Sequence, residues 1–200
     1  MSQETWDMIV GAAILIPFLI LVFAAGLVLN KFKNGRFTRA WGPLVPIING
    51  TVIQDGGGAA TSWLTGTYRR RKVRASMVPN RNRYSGESGH TYNYFDIEIQ
   101  DVPGGQGWSV VYKTSLLGFG ETGWSVEAKD KALEESLRGA GVVDMVARLG
   151  GPTVEYKQKQ STLLYSEDVT PRWVPTPERF QEELEMLLRL VEVNEQLNAA

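Results

Sequence analysis

The sequence has no cysteine and only one histidine, His90. Without cysteine, disulfide bonds and thiolate metal sites are excluded, as is typical of proteins from reducing compartments. A single histidine argues against a zinc or non-haem iron site. The carboxylates Asp144, Glu167 and Asp168 show no spacing typical of a cation site or an acid–base pair. We therefore expect no metal and no other cofactor.

The motifs of common catalytic sites are also missing. There is no Walker loop and no G-x-S-x-G elbow. A lone histidine in a polar segment, such as His90 beside Ser85 and Glu87, is usually a surface residue. Residues 118–123 match G-x-G-x-x-G, but residues 124–127 are typical of a strand, whereas a dinucleotide site needs a helix there. The sequence therefore predicts a protein that is not an enzyme.

Charged residues are absent from one long segment, residues 8–29, which contains 22 apolar or weakly polar residues. A helix of this length measures about 33 Å, and the hydrocarbon core of a bilayer is about 30 Å thick. The segment follows Glu4 and Asp7 and has no basic residue before it, unlike a cleaved signal peptide. We predict a retained transmembrane helix over residues 8–29, with Pro17 near its middle.

Basic residues flank this segment on one side only. Those that follow it closely are Lys31, Lys33, Arg36 and Arg39. Because cytoplasmic flanks are enriched in such residues, we predict a single-pass protein of the cell (inner) membrane, with the N-terminus outside and residues 30–200 in the cytoplasm. Trp6 and Trp41 are predicted to lie at the two membrane interfaces.

The formal net charge of −1 hides an uneven distribution. Residues 30–94 contain eleven Lys and Arg against two acidic residues, and residues 95–200 contain ten against eighteen. The basic part includes the arginine segment, which we define as Arg69, Arg70, Arg71, Lys72 and Arg74. It is predicted to contact anionic lipid headgroups or a protein partner; the alternative is a strand face that pairs with Asp96 and Glu98. The acidic remainder argues against nucleic acid as a partner.

Residues 68–200 are predicted to form a cytoplasmic α+β domain. Residues 1–7 would lie outside the membrane, and residues 30–67, with Pro43 and Pro46, would form a juxtamembrane connector. Alternating polar and apolar residues predict an antiparallel meander. Its strands and a later hairpin are expected at residues 68–78, 92–100, 108–117, 124–128 and 153–167. Between the fourth strand and the hairpin, Asp130 is a suitable N-cap for a helix that continues to about Arg138.

The C-terminal segment predicts an amphipathic helix. Thr176 is a suitable N-cap and Pro177 a suitable first residue. Glu182, Glu183 and Glu185 are predicted to lie on its solvent face. The complete fold class is therefore a single N-terminal transmembrane helix plus an α+β domain with an antiparallel sheet and a C-terminal amphipathic helix.

In topology, this layout resembles the H-type accessory subunit of bacterial photosynthetic reaction centres. The resemblance rests on one helix, the basic exit at residues 31–36 and a β-rich domain, and it implies a non-catalytic subunit that stabilises a larger integral-membrane complex and ligates no pigment. An accessory subunit of a respiratory complex fits as well. The expected partners are integral-membrane protein subunits and anionic lipid headgroups. The alternative is a membrane-tethered enzyme or ligand-binding domain for nucleotides or lipid headgroups.

Overall fold

Alternating apolar and polar residues build one antiparallel sheet of eight strands. The computed structural model describes residues 15–26, 39–54, 62–79, 93–113, 122–150, 152–170 and 173–199. The strands are β1 (Thr51–Gln54), β2 (Ser62–Tyr68), β3 (Arg71–Pro79), β4 (Asn93–Ile99), β5 (Trp108–Lys113), β6 (Gly123–Ala128), β7 (Thr153–Lys157) and β8 (Thr162–Val169). The helices are α1 (residues 15–26), α2 (Lys131–Gly139), α3 (Val142–Ala147) and α4 (Pro177–Ala199).

The predicted transmembrane helix over residues 8–29 is contradicted by the structure. Among the described residues, no helix is both long enough and apolar enough to cross a membrane. Residues 8–14 and 27–29 lie outside the described residues.

Three predictions that depended on this helix are therefore wrong. The first is the fold class with a transmembrane anchor. The second is the single-pass localisation in the inner membrane, with residues 30–200 in the cytoplasm. The third is the association with photosynthesis and a reaction centre, which rested on the same topology.

The sheet is not a simple meander. Its strand order is β1-β2-β3-β4-β8-β7-β5-β6, so the last strand lies between β4 and β7. Ile97 of β4 pairs with Ala75 of β3 on one side and with Tyr165 of β8 on the other. Strand β8 therefore joins the first four strands to the rest of the sheet.

One face of the sheet is buried against α4. On β4, Phe95, Ile97 and Ile99 are fully buried, while the residues between them are half-buried. Helix α4 contributes several fully buried side chains, including Phe180 and Leu187. Since burying one such side chain stabilises a fold by about 1.5–3 kcal/mol, this contact is a major source of stability.

The predicted helix caps are confirmed. The amide of Arg179 donates to the hydroxyl of Thr176, and α4 begins at Pro177. Asp130 caps α2 by accepting from the amide of Ala132 at 2.9 Å. The sequence therefore places both helix starts correctly.

The segment before β1 is part of the core. A side chain at Gly66 would clash with the carbonyl oxygen of Ile48, and one at Gly50 with the carbonyl oxygen of Thr65. The two backbones can therefore approach so closely only because both residues are glycine. Ile48 is itself fully buried, so this part of the predicted connector packs inside the domain.

The C-terminal half of α4 is held by a buried amide. The indole nitrogen of Trp108 donates to Oδ1 of Asn194 at 2.8 Å, and Nδ2 of Asn194 donates to the carbonyl oxygen of Pro103 at 2.8 Å. Asn194 is only 2% exposed. Its removal would leave the buried indole N–H of Trp108 without a hydrogen-bond acceptor.

Asn194→Ala is expected to lower the free energy of unfolding by about 1–3 kcal/mol, because the buried indole N–H of Trp108 loses its hydrogen-bond acceptor. Urea unfolding followed by circular dichroism measures this change. Gln196→Ala, which shortens an exposed amide of the same helix, is the matched control and is expected to cost less than about 0.5 kcal/mol. Equal losses in the two variants would contradict the role of Asn194.

Candidate functional site

The arginine segment forms the turn between β2 and β3 and the start of β3. Arg69 and Arg70 are the two turn residues, with φ angles of 45° and 69°. This left-handed region is usually left to Gly, Asn or Asp, and other residues there are strained by roughly 1–2 kcal/mol. Contacts elsewhere in the chain must therefore hold the turn.

Most of these contacts come from α4. Arg69 forms an ion pair with Glu185, whose carboxylate also accepts from the hydroxyl of Tyr68 at 2.6 Å. Arg71 forms an ion pair with Glu195, three turns further along the helix. Ion pairs therefore connect the turn and the first residue of β3 to α4 at two positions.

Lys72 and Arg74 of the segment are also paired within the chain. Lys72 lies 2.9 Å from Asp101, and Arg74 lies 3.9 Å from Glu98. The predicted pairing across the sheet is thus present for Glu98, whereas Asp96 accepts from Ser166 instead. Contact of the segment with a lipid or a protein partner stays a prediction.

The residues predicted at the membrane are dispersed. Pro17 and Arg39 are exposed. Trp41 is fully buried, with its ring 6.0 Å from that of Phe95, and so is a core residue. The remaining ones, Trp6, Lys31, Lys33 and Arg36, lie outside the described residues. The membrane roles predicted for these seven residues depended on the transmembrane helix.

The structure describes only the end of the glycine motif. Gly123 is the first residue of β6, so a strand follows the motif, as predicted, and not the helix that a dinucleotide site requires. Residues 118–121 lie outside the described residues, as does His90 with its polar neighbours.

Four polar side chains meet between β8 and α4. Nη2 of Arg179 donates to the two carboxylate oxygens of Glu167 at 2.6 and 2.7 Å, and its Nε donates to Oε1 of Glu183 at 2.9 Å. The hydroxyl of Tyr165 lies 2.9 Å from Glu183 and 3.0 Å from Glu167. The guanidinium carbon of Arg179 lies over the ring of Trp173, 5.0 Å from the centroid of that ring.

This cluster corrects the prediction that Glu183 lies on the solvent face. Glu183 is fully buried, and burial raises the pKa of its carboxyl group although Arg179 and Tyr165 partly oppose this. Burial also raises the pKa of the Tyr165 hydroxyl, and both carboxylates add to the effect. Because Glu183 is sealed from solvent, the cluster serves to hold α4 on β8.

The opposite face of the sheet is open. None of its residues on β1 to β4 is buried. Arg74 lies over Trp63, with its guanidinium carbon 4.8 Å from the ring centroid. Ile53 and Val78 flank this pair on the same face and are each 40% exposed. We call these four residues, Ile53, Trp63, Arg74 and Val78, the Trp63 patch.

Arg74 is the polar centre of the patch. Its Nε atom is enclosed and has no hydrogen-bond partner, and its Nη1 atom is 3.9 Å from Glu98. A guanidinium group can donate five hydrogen bonds in a fixed fork. Arg74 therefore retains capacity to bind a carboxylate or carbonyl group.

Asp96 lies next to the patch on β4. It pairs with Ser76 across the strands and accepts from the hydroxyl of Ser166 at 2.6 Å. Burial raises the pKa of Asp96, the Ser166 hydrogen bond opposes this, and the charge of Glu98 adds to it. The carboxylate form of Asp96 is thus less favourable in the folded state.

The described residues contain no group of three His, Cys, Asp or Glu side chains that could hold a metal ion. Whether the protein is an enzyme stays untested. Among the described residues, the Trp63 patch is the exposed surface that combines apolar side chains with an incompletely paired guanidinium group.

The chain matches no family model, no curated protein and no solved structure.

Asp96→Asn tests the electrostatics of the open face. Because the pKa of Asp96 is raised in the folded state, the folded chain binds more protons above the ordinary value of 3.8. The contribution of Asp96 to the free energy of unfolding is therefore present at low pH, and it is lost as the pH rises through the pKa that Asp96 has in the folded chain. Relative to Asp96→Asn, the wild type is expected to lose stability from pH 4 upwards, as measured by urea unfolding.

The control for this series is Asp168→Asn, which removes an exposed carboxylate from β8. Solvent and salt screen an exposed charge, so this substitution is expected to change the free energy of unfolding by less than about 0.5 kcal/mol. A wild-type curve that rises relative to Asp96→Asn over the same pH range would contradict the analysis.

Proposed function

We propose that this chain is a non-catalytic subunit of a larger protein assembly and that it binds a protein partner through the Trp63 patch. The observation that carries the proposal is the open sheet face, on which the partly exposed side chain of Arg74 is stacked on Trp63. Tryptophan and arginine are the residue types most often responsible for binding energy at protein interfaces.

The stacked pair is preorganised for binding. Arg74 sits on β3 and Trp63 on β2, so both side chains project from a hydrogen-bonded sheet. Less conformational entropy is lost when a rigid element binds than when a loop does. A carboxylate of the partner would accept hydrogen bonds from the exposed part of the Arg74 guanidinium, since the side chain is 39% exposed and its ion pair with Glu98 is 3.9 Å long.

The partner is expected to present an acidic segment with apolar side chains beside it. The apolar side chains would cover Ile53 and Val78, and an acidic group would lie against the guanidinium of Arg74.

A nucleotide- or headgroup-binding domain built on the arginine segment has less support. Arg69 and Arg71 already pair with carboxylates of α4, so a phosphate ligand would have to displace those contacts. The glycine motif continues into a strand. Neither feature favours this alternative.

Arg74→Ala and Val78→Asp are expected to abolish partner capture. A tagged chain is used to isolate bound proteins from extracts of its source cells, and the captured protein is quantified against the bait. Because central interface residues contribute about 2 kcal/mol or more, we expect capture to fall at least about tenfold.

Lys113→Ala is the control, since Lys113 is an exposed cation on β5, outside the patch, and pairs with Glu127. It is expected to capture the partner as the wild type does. Circular dichroism spectra and melting temperatures verify that all variants fold. Recovery of the wild-type chain alone, or equal capture by all variants, would contradict the proposal.

A further inference from the structure

An open cavity of about 420 Å³ lies at the end of the β7–β8 hairpin. Its volume is within the usual range of ligand sites. The turn of the hairpin, which contains the short 3₁₀ helix Gln158–Gln160, forms one wall. Gln106 before β5 and Lys129 between β6 and α2 form the others.

Three lysines line this cavity: Lys129, Lys157 and Lys159. Residues 95–200 contain only two further lysines, and acidic residues outnumber basic ones there by eighteen to ten. The cavity is therefore a concentration of positive charge within the acidic part of the chain. Its one carboxylate is Glu155.

Few carboxylates of the described residues form ion pairs with these three lysines. Lys157 lies 3.8 Å from Glu155, the long end of the range for an ion pair. Within the described residues, no carboxylate forms an ion pair with Lys129 or Lys159. Two ammonium groups at this cavity thus remain available to an anion.

The other lining groups indicate the chemistry of the ligand. Gln106, Gln158 and Gln160 add neutral amide donors, and the cavity has no aliphatic side chain in its lining. Tyr156 contributes little surface, since it is 1% exposed and its hydroxyl donates to the carbonyl of Val102. The lysines and amides therefore favour a ligand with several negative charges.

We propose that this cavity binds a polyphosphate-type anion, with Lys129, Lys157 and Lys159 meeting successive phosphate groups. Lysine binds phosphate as a point charge, and the amides supply further hydrogen bonds to phosphate oxygens. None of these residues belongs to the Trp63 patch, so this proposal and the proposed function can fail separately.

The test is isothermal titration calorimetry, in which sodium tripolyphosphate is titrated into the full chain at constant ionic strength. Saturable binding with one site is expected. Lys129→Gln and Lys159→Gln should each raise the Kd about tenfold, the effect of losing one charge-assisted hydrogen bond. Lys129 and Lys159 are both exposed, so these two substitutions are expected to leave the fold intact.

Lys131→Gln is the matched control, because it removes the same charge two residues from Lys129 but outside the cavity lining. It should change the Kd by less than about twofold. A second titration uses ATP, which is expected to bind no more tightly than tripolyphosphate. Absence of saturable binding, equal losses in Lys131→Gln and Lys159→Gln, or tighter binding of ATP would overturn the proposal.

Discussion

The packing of α4 against one face of the sheet is the contact on which the rest of the structure depends. Arg179 and Glu183 hold the start of the helix on β8, and Asn194 holds its second half near β5. Between them the helix buries apolar side chains such as Leu184 and Leu187. Because a buried polar group left without a partner is unfavourable, these polar contacts also fix where the helix lies.

This arrangement divides the charged residues into two groups. The arginines that the sequence makes conspicuous, Arg69 and Arg71, bind carboxylates of α4 and stabilise the fold. Arg74, on the open face, and the lysines of the cavity are less completely paired. A charged segment in a sequence thus indicates a binding site only after its internal partners are known.

Local sequence signals predicted the starts of α2 and α4, because caps depend on neighbouring residues. Contacts between distant residues were not predictable in this way. The place of β8 beside β4 depends on long-range pairing. The burial of Glu183 depends on Tyr165 and Arg179, and Trp63 meets Arg74 only once β2 and β3 pair. The membrane prediction failed because an apolar run alone does not specify a spanning helix.

The central claim is that the open sheet face is covered by a protein partner. Hydroxyl-radical labelling of the chain alone, and of the chain isolated with its partner, tests it most directly. We expect Trp63 and Val78 to be oxidised in the free chain and protected in the assembly, while Tyr112, 51% exposed and outside the patch, is oxidised equally in both. Equal oxidation of Trp63 in the two samples would contradict the claim.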